Sequence, residues 1–339
     1  MLISSLTMLA WVVKPAIGYL IDNFFSKKIW IFISLFIDII VVLILGLTPL
    51  PIFTLVALLL LNSTNAAFRD VSVDGIMCVE GKKNNSTGKI QSIQWISIST
   101  SGLVTGILGG YIAQKSGYRL GFLCLIPVYI LVALSAHFYR ENNSVNEGYP
   151  ARYLFTDLKK ILTDKRLLII GLFIFLYKYS PSFGTPLFFI QRDNFKWGKI
   201  WIGALGTIST VFQIAGALIY YKFSQKINIK KWLLFSVFLG ALTSLSYLYY
   251  TPITAVIYEV LYSFIGMFIF LMIMDFMARH TTKGLEATSF ALLCSISNLA
   301  LTASNLSGAF LLPTIGLKWL IVISSLTSFL CLPLINRIE

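Results

Sequence analysis

Successive apolar stretches, each about 20 residues long, run through almost the whole chain and leave room for little besides membrane-spanning helices. At that length per span, the sequence divides into about eleven helices: 3–22, 29–47, 52–78, 89–114, 118–138, 167–191, 200–222, 231–250, 252–278, 284–312 and 317–335. The expected fold class is therefore all-α, a polytopic membrane protein. A mean hydropathy of +0.81 agrees, and with only 12% charged residues a water-soluble domain could not cover its core. The net charge of +13 then belongs to loops facing an anionic leaflet and does not point to nucleic acid.

Lysines and arginines set the orientation. If Lys27 and Lys28 are cytoplasmic, so are Lys82, Lys83, Lys89, the 139–166 linker, the 222–231 loop, Arg279, Lys283 and Arg337. The opposite side keeps about a third as many. The polar 139–166 segment separates five helices (1–138) from six (167–339). Within it Tyr153, Leu154, Leu158, Ile161 and Leu162 recur at helical spacing, as in an amphipathic helix lying along the membrane. Two helical halves joined by a basic loop is the layout of transporters built from repeats.

Charges inside the apolar runs are the candidate functional residues, because each costs roughly 2.5–3.5 kcal/mol to bury in hydrocarbon. Lys14 lies well within the first span, as a contact for a substrate anion or a partner for a carboxylate across the bundle. Asp70 and Asp74, four residues apart, share one helix face about 6 Å apart, where two carboxylates favour sharing one proton. That suits proton coupling, and it also suits accepting hydrogen bonds from an amino-substituted pyrimidine ring. Arg69 points elsewhere, to another helix or to a substrate acid. Asp38, the lone acid of its helix, could serve Lys14 or solvent. Asp22 with Lys27 and Lys28 reads as a cytoplasmic gating clasp. Glu80 marks the point where the third helix leaves the membrane.

In the second half, Lys178 sits among aromatics beside Pro181 and Pro186, which break the helix and free backbone groups for a cavity or for protein partners. Either Lys178 meets an aromatic anion there or it pairs with Glu259. A stripe of Thr288, Ser295, Asn298, Thr302 and Asn305 is expected to face the bundle interior. Gly102, Gly106, Gly109 and Gly110 favour close helix packing. The four cysteines have no metal or disulfide spacing, and neither histidine belongs to a catalytic motif, so no enzyme, metal or cofactor is expected.

Three segments together resemble the folate–biopterin transporter family of the major facilitator superfamily. AWVVKPAIGYLIDNF is similar to its K-P-x-x-G-x-x-x-D signature. AAFRDVSVDGIMCVE is similar to its A-D-x-x-x-D-x-x-x-x-E helix, and KGLEATSFALLCSISNLALTASNL to its G-x-E-x-T-x-x-A-L-x-x-S-x-x-N helix. Ala10 stands where the family has proline, and the family's first helix has no counterpart ahead of Trp11. The resemblance implies a two-bundle carrier in the cell membrane or an organelle membrane. It would act as a monomer on folate, pterin or related anions, with protons as the coupling ion. The family's charged positions fall on Lys14, Asp22, Asp70, Asp74, Glu80 and Glu286. Rival readings are a permease for another solute, such as peptidoglycan fragments, and a truncated, non-transporting membrane relative.

Overall fold

The computed structural model describes residues 11, 13–141, 163–335 and 337, excepting the side chains of Gly110, Ala113 and Lys199. The amphipathic stretch expected at 153–162 lies outside them. Among the described residues twelve α-helices follow in order: α1 (Lys14–Asn23), α2 (Lys27–Leu47), α3 (Ile52–Lys83), α4 (Thr87–Leu123), α5 (Leu125–Phe138), α6 (Lys165–Lys178), α7 (Gly184–Phe189), α8 (Lys199–Phe223), α9 (Ile229–Ser246), α10 (Pro252–Arg279), α11 (Glu286–Thr327) and α12 (Leu332–Ile335). No strand occurs among the described residues.

Seven described stretches are long and apolar enough to cross a bilayer. Four physical details separate seven from about eleven. The described helix of the first span begins only at Lys14, and the Ser- and Gly-rich 89–114 run is not among the seven. The 167–191 span is split between α6 and α7. The last two spans form one continuous stretch, Glu286–Ile335, turned at Gly316. Gly316, at φ 74, takes a backbone conformation that costs glycine little and other residues more. The protein is an integral, multi-pass membrane protein.

The described residues form two compact units that do not follow chain order. One holds residues of 1–83, 101–162 and 280–295, and the other those of 84–100, 163–279 and 296–339. Helices α4 and α11 each contribute one end to each unit.

The first unit centres on Ile17, Ile21, Ala67, Val71, Ala287 and Ala291, flanked by Trp11, Trp30 and Phe68. Small residues on α3 and α11 let α1 come close. A Cβ on Gly18 would lie 2.8 Å from the Ala287 carbonyl oxygen. By contrast α5 has no buried residue, and beyond their own stretch of helix no described residue lies within 4 Å of a Cβ built at Gly102, Gly106 or Gly109. The helix packing expected of that glycine stripe is therefore not found among the described residues.

In the second unit the expected break falls between α6 and α7. Its freed backbone groups are taken up by protein. The Ser180 amide donates to Ser304 Oγ at 3.0 Å, and the Ser182 amide donates to the Ser304 carbonyl at 2.9 Å. This requires α11 to lie against the break, where a Cβ on Gly308 would fall 1.9 Å from the Ser182 carbonyl oxygen. Gly308→Ala is therefore expected to destabilise the chain by about 1–3 kcal/mol through overpacking. A fall in the thermal unfolding midpoint would show it, with Gly203→Ala, a position with open space, as the unchanged control.

Candidate functional site

Most of the intramembrane charges of the first unit are paired, and the pairing is specific. Lys14 opens α1 with Pro15 in the first helical turn, where a missing N–H costs nothing. Its ammonium donates to Asp70 Oδ2 on α3 at 2.5 Å and lies 4.4 Å from the centre of the Trp11 ring. Asp74, one turn further along α3, is buried at 9% exposure and within electrostatic reach of the same lysine. The Asp70 side chain is 31% exposed, so of the two carboxylates it is the more open to solvent. The thiol of Cys294 on α11 completes the surroundings.

Arg69, on a different face of α3, pairs with Asp38 on α2, whose other oxygen accepts from Asn65 Nδ2 at 2.8 Å. Asp38 is fully buried. Of the two destinations the sequence left open for it, neither Lys14 nor solvent is correct. The guanidinium of Arg69 also lies 5.4 Å from the centre of the Tyr129 ring.

At the end of α1, Asp22 accepts from the backbone amides of Ala287 and Thr288, at 3.3 and 2.7 Å, and from the Thr288 hydroxyl at 2.7 Å. A carboxylate there satisfies amides that a helix start leaves unpaired and faces the positive end of its dipole. Lys27 reaches Asp22 at 3.5 Å. Lys28 does not join this clasp, which corrects the expectation for it. Its ammonium donates to the carbonyls of His137 and Tyr139, each at 2.8 Å. Glu80 accepts from the Tyr139 hydroxyl at 3.3 Å, and Glu286 pairs with Lys82 at 3.3 Å. Burial and the Glu80 carboxylate push the Tyr139 phenol above its ordinary value, so it stays a donor. The sequence reading missed Glu141, whose two oxygens accept from the Lys27 and Lys28 amides at the start of α2. An acid at the edge of a basic linker was the available signal.

In the second unit, Lys178 ends α6 with its ammonium 5.2 Å from the centre of the Phe270 ring. No ion pair joins it to Glu259 among the described residues, so that alternative for Lys178 is set aside. Glu259 instead lines a cavity of about 480 Å³ with Trp95, Gln213, Tyr258, Tyr262 and Phe270 among its walls. Tyr258 and Tyr262 stack with ring centres 5.2 Å apart, and Trp95 meets Phe270 edge-on at 4.5 Å. The sequence reading missed these aromatics. Their signal was Tyr258 and Tyr262 at helical spacing around Glu259.

Asp275, another carboxylate of α10, is fully buried. It accepts from Tyr220 at 2.8 Å, from Thr87, and from Arg279 at 3.0 and 2.8 Å. Asn298, Thr302 and Asn305 are exposed while Thr288 is buried, so the polar stripe of α11 does not face one interior along its length. The helix contributes to both units, and its neighbours change along it.

Comparison with known proteins places these residues in a family. A folate-biopterin transporter from Synechocystis is 23% identical over 306 residues, covering 82% of this chain and 61% of the relative. The chain thus spans about three fifths of that relative's length. Folate transporter 1 from Plasmodium falciparum is also 23% identical, over 94% of this chain and 68% of its own length. Among solved structures, the E. coli fucose:proton symporter superposes with a TM-score of 0.78 at 13% identity, covering 100% of this chain and 91% of that one. The human organic anion transporter MFSD10 gives 0.71 at 15% identity, covering 98% and 82%. The likeness includes the xylose symporter of the major facilitator superfamily, at a TM-score of 0.71 and 12% identity, over 99% of this chain and 85% of that one. At these identities the structures establish the fold. The sequence profile of the BT1 family matches residues 1–338, and with that match over nearly its whole length the chain belongs to the BT1 family, in a fold shared with major facilitator transporters.

Proposed function

We propose that this protein is a secondary active transporter that moves folate, pterin or a related organic anion across a membrane by alternating access, coupled to protons. The observation that carries the reading is the Lys14–Asp70 ion pair, set in membrane helices with Asp74 one turn away. The two relatives named as folate and folate-biopterin transporters support the substrate class.

The charges suggest how coupling would work. Lys14 and Arg69 face three carboxylates, Asp38, Asp70 and Asp74, so the set carries one negative charge when all are ionised and is neutral with one proton bound. Asp70 is the more open of the α3 carboxylates, and it holds Lys14. A proton on Asp70 weakens that pair and leaves the ammonium for a substrate carboxylate, a charge-assisted contact. Proton and anion then enter together. On this reading the bundles of 1–138 and 167–339 are the moving halves. Asp22 with Lys27 and Glu286 with Lys82 serve as gate contacts, and Lys28 and Glu80 brace the segment around Tyr139.

The test is uptake of labelled folate by liposomes carrying the purified chain. An acid exterior should speed accumulation, a protonophore should abolish the acceleration, and unlabelled pterins should compete while peptidoglycan fragments should not. Uptake no greater than in protein-free liposomes would overturn the reading in favour of a non-transporting relative. Competition by peptidoglycan fragments alone would favour a permease for that solute.

A further inference from the structure

The cavity of the second unit holds an unusual mixture of groups. Most of its hydroxyls are already committed to protein. Tyr258 donates to the Ser246 carbonyl at 3.1 Å, Tyr262 bonds the Ser246 hydroxyl at 2.6 Å, and Ser209 bonds Ser263 at 2.5 Å. Glu259 differs: among the described residues it has no hydrogen bond or ion pair, yet it stands seven residues into a membrane helix that begins at Pro252. Leaving a carboxylate at such a depth is costly unless something meets it. Around it are the rings of Trp95, Tyr258, Tyr262 and Phe270. At about 480 Å³ the space is within the range of small-molecule sites, large enough for a fused two-ring heterocycle.

From this geometry we infer that the cavity seats the ring end of the substrate, a planar heterocycle with an amino group next to a ring N–H. Glu259 accepts that pair of N–H groups side by side, and the aromatic walls cover the ring faces. Two parallel N–H donors match the two oxygens of one carboxylate, and a charged acceptor makes the bonds strong. Offset or edge-on contact with aromatic rings adds to the ring's burial. Lys178, whose ammonium lies 5.2 Å from the centre of the Phe270 ring and has no carboxylate partner among the described residues, adds positive charge behind that wall. This inference rests on the transport reading above. It moves recognition of the amino-heterocycle from Asp70 and Asp74 to Glu259, and leaves the α3 pair to coupling.

The experiment is ligand binding to the full purified chain, followed by tryptophan fluorescence. The probes are a pterin carboxylate and the matching lumazine carboxylate, in which oxygen replaces the amino group and the donor pair is lost. The wild-type chain should prefer the pterin by roughly 10- to 100-fold, the range for hydrogen bonds to a charged group. Glu259→Gln should bring the two within about threefold of each other. Trp95→Phe should remove most of the pterin-induced quenching, and this arm stands even if Glu259→Gln does not fold. A pterin preference that survives in Glu259→Gln, or quenching that survives in Trp95→Phe, would overturn the assignment. If the wild-type chain takes up labelled folate but shows no pterin preference, the cavity assignment falls and the transport reading stands. If it neither takes up folate nor binds either probe, both fall.

Discussion

Arg69→Ala is expected to destabilise the protein by about 3 kcal/mol or more, because it strands a fully buried carboxylate. Asp38 lies within α2 at no measurable exposure and is held by Arg69 and Asn65. Without the guanidinium, one amide remains to meet the charge. The partner variant separates loss of attraction from stranding. Asp38→Asn in the Arg69→Ala background removes the orphan charge and should recover most of the loss. The expected signature is a double-mutant cycle in which the double variant unfolds at a higher temperature than Arg69→Ala alone. Equal or additive losses would show that the pair carries no mutual dependence.

Asp70→Asn should separate exchange from accumulation. The amide resembles a permanently protonated side chain, so Lys14 is left free for substrate whatever the pH. Labelled substrate should still exchange against unlabelled substrate inside the vesicle, while acceleration by an acid exterior should fall about tenfold or more, the effect of losing one strong charge-dependent step. Lys14→Gln should instead impair both activities, since it removes the cation that meets the anion. If Asp70→Asn keeps its response to the gradient and Asp74→Asn loses it, the proton site is Asp74, and the more exposed of the two carboxylates only orients Lys14.

Much of the fold could be read from one dimension. Apolar runs of span length forced helices, because a backbone in hydrocarbon must satisfy its own hydrogen bonds. Pro181 and Pro186 located the break after Lys178, since a proline ring supplies no N–H and crowds the preceding turn. The pattern of Lys14, Arg69, Asp70 and Asp74 also marked where buried charges must find partners, because burying charge is too costly to be incidental.

Partner choice was not legible in the same way. Each residue step turns a helix by about 100°, and hydropathy fixes neither a helix's rotation about its axis nor its height beside a neighbour. The sequence therefore allowed Asp38 to serve Lys14 and Lys178 to serve Glu259. In the structure α2 turns Asp38 to Arg69, while Glu259 faces an aromatic cavity. Lys28 went to backbone carbonyls for the same reason. The cavity itself draws walls from α4, α8 and α10, segments far apart in the chain. The sequence by itself determined that this is a bundle of membrane helices with charges that demand partners. Which charges meet, and which carboxylate is left to face an aromatic cavity, was decided by the tertiary structure, because the rotation and height of each helix come from packing against the others.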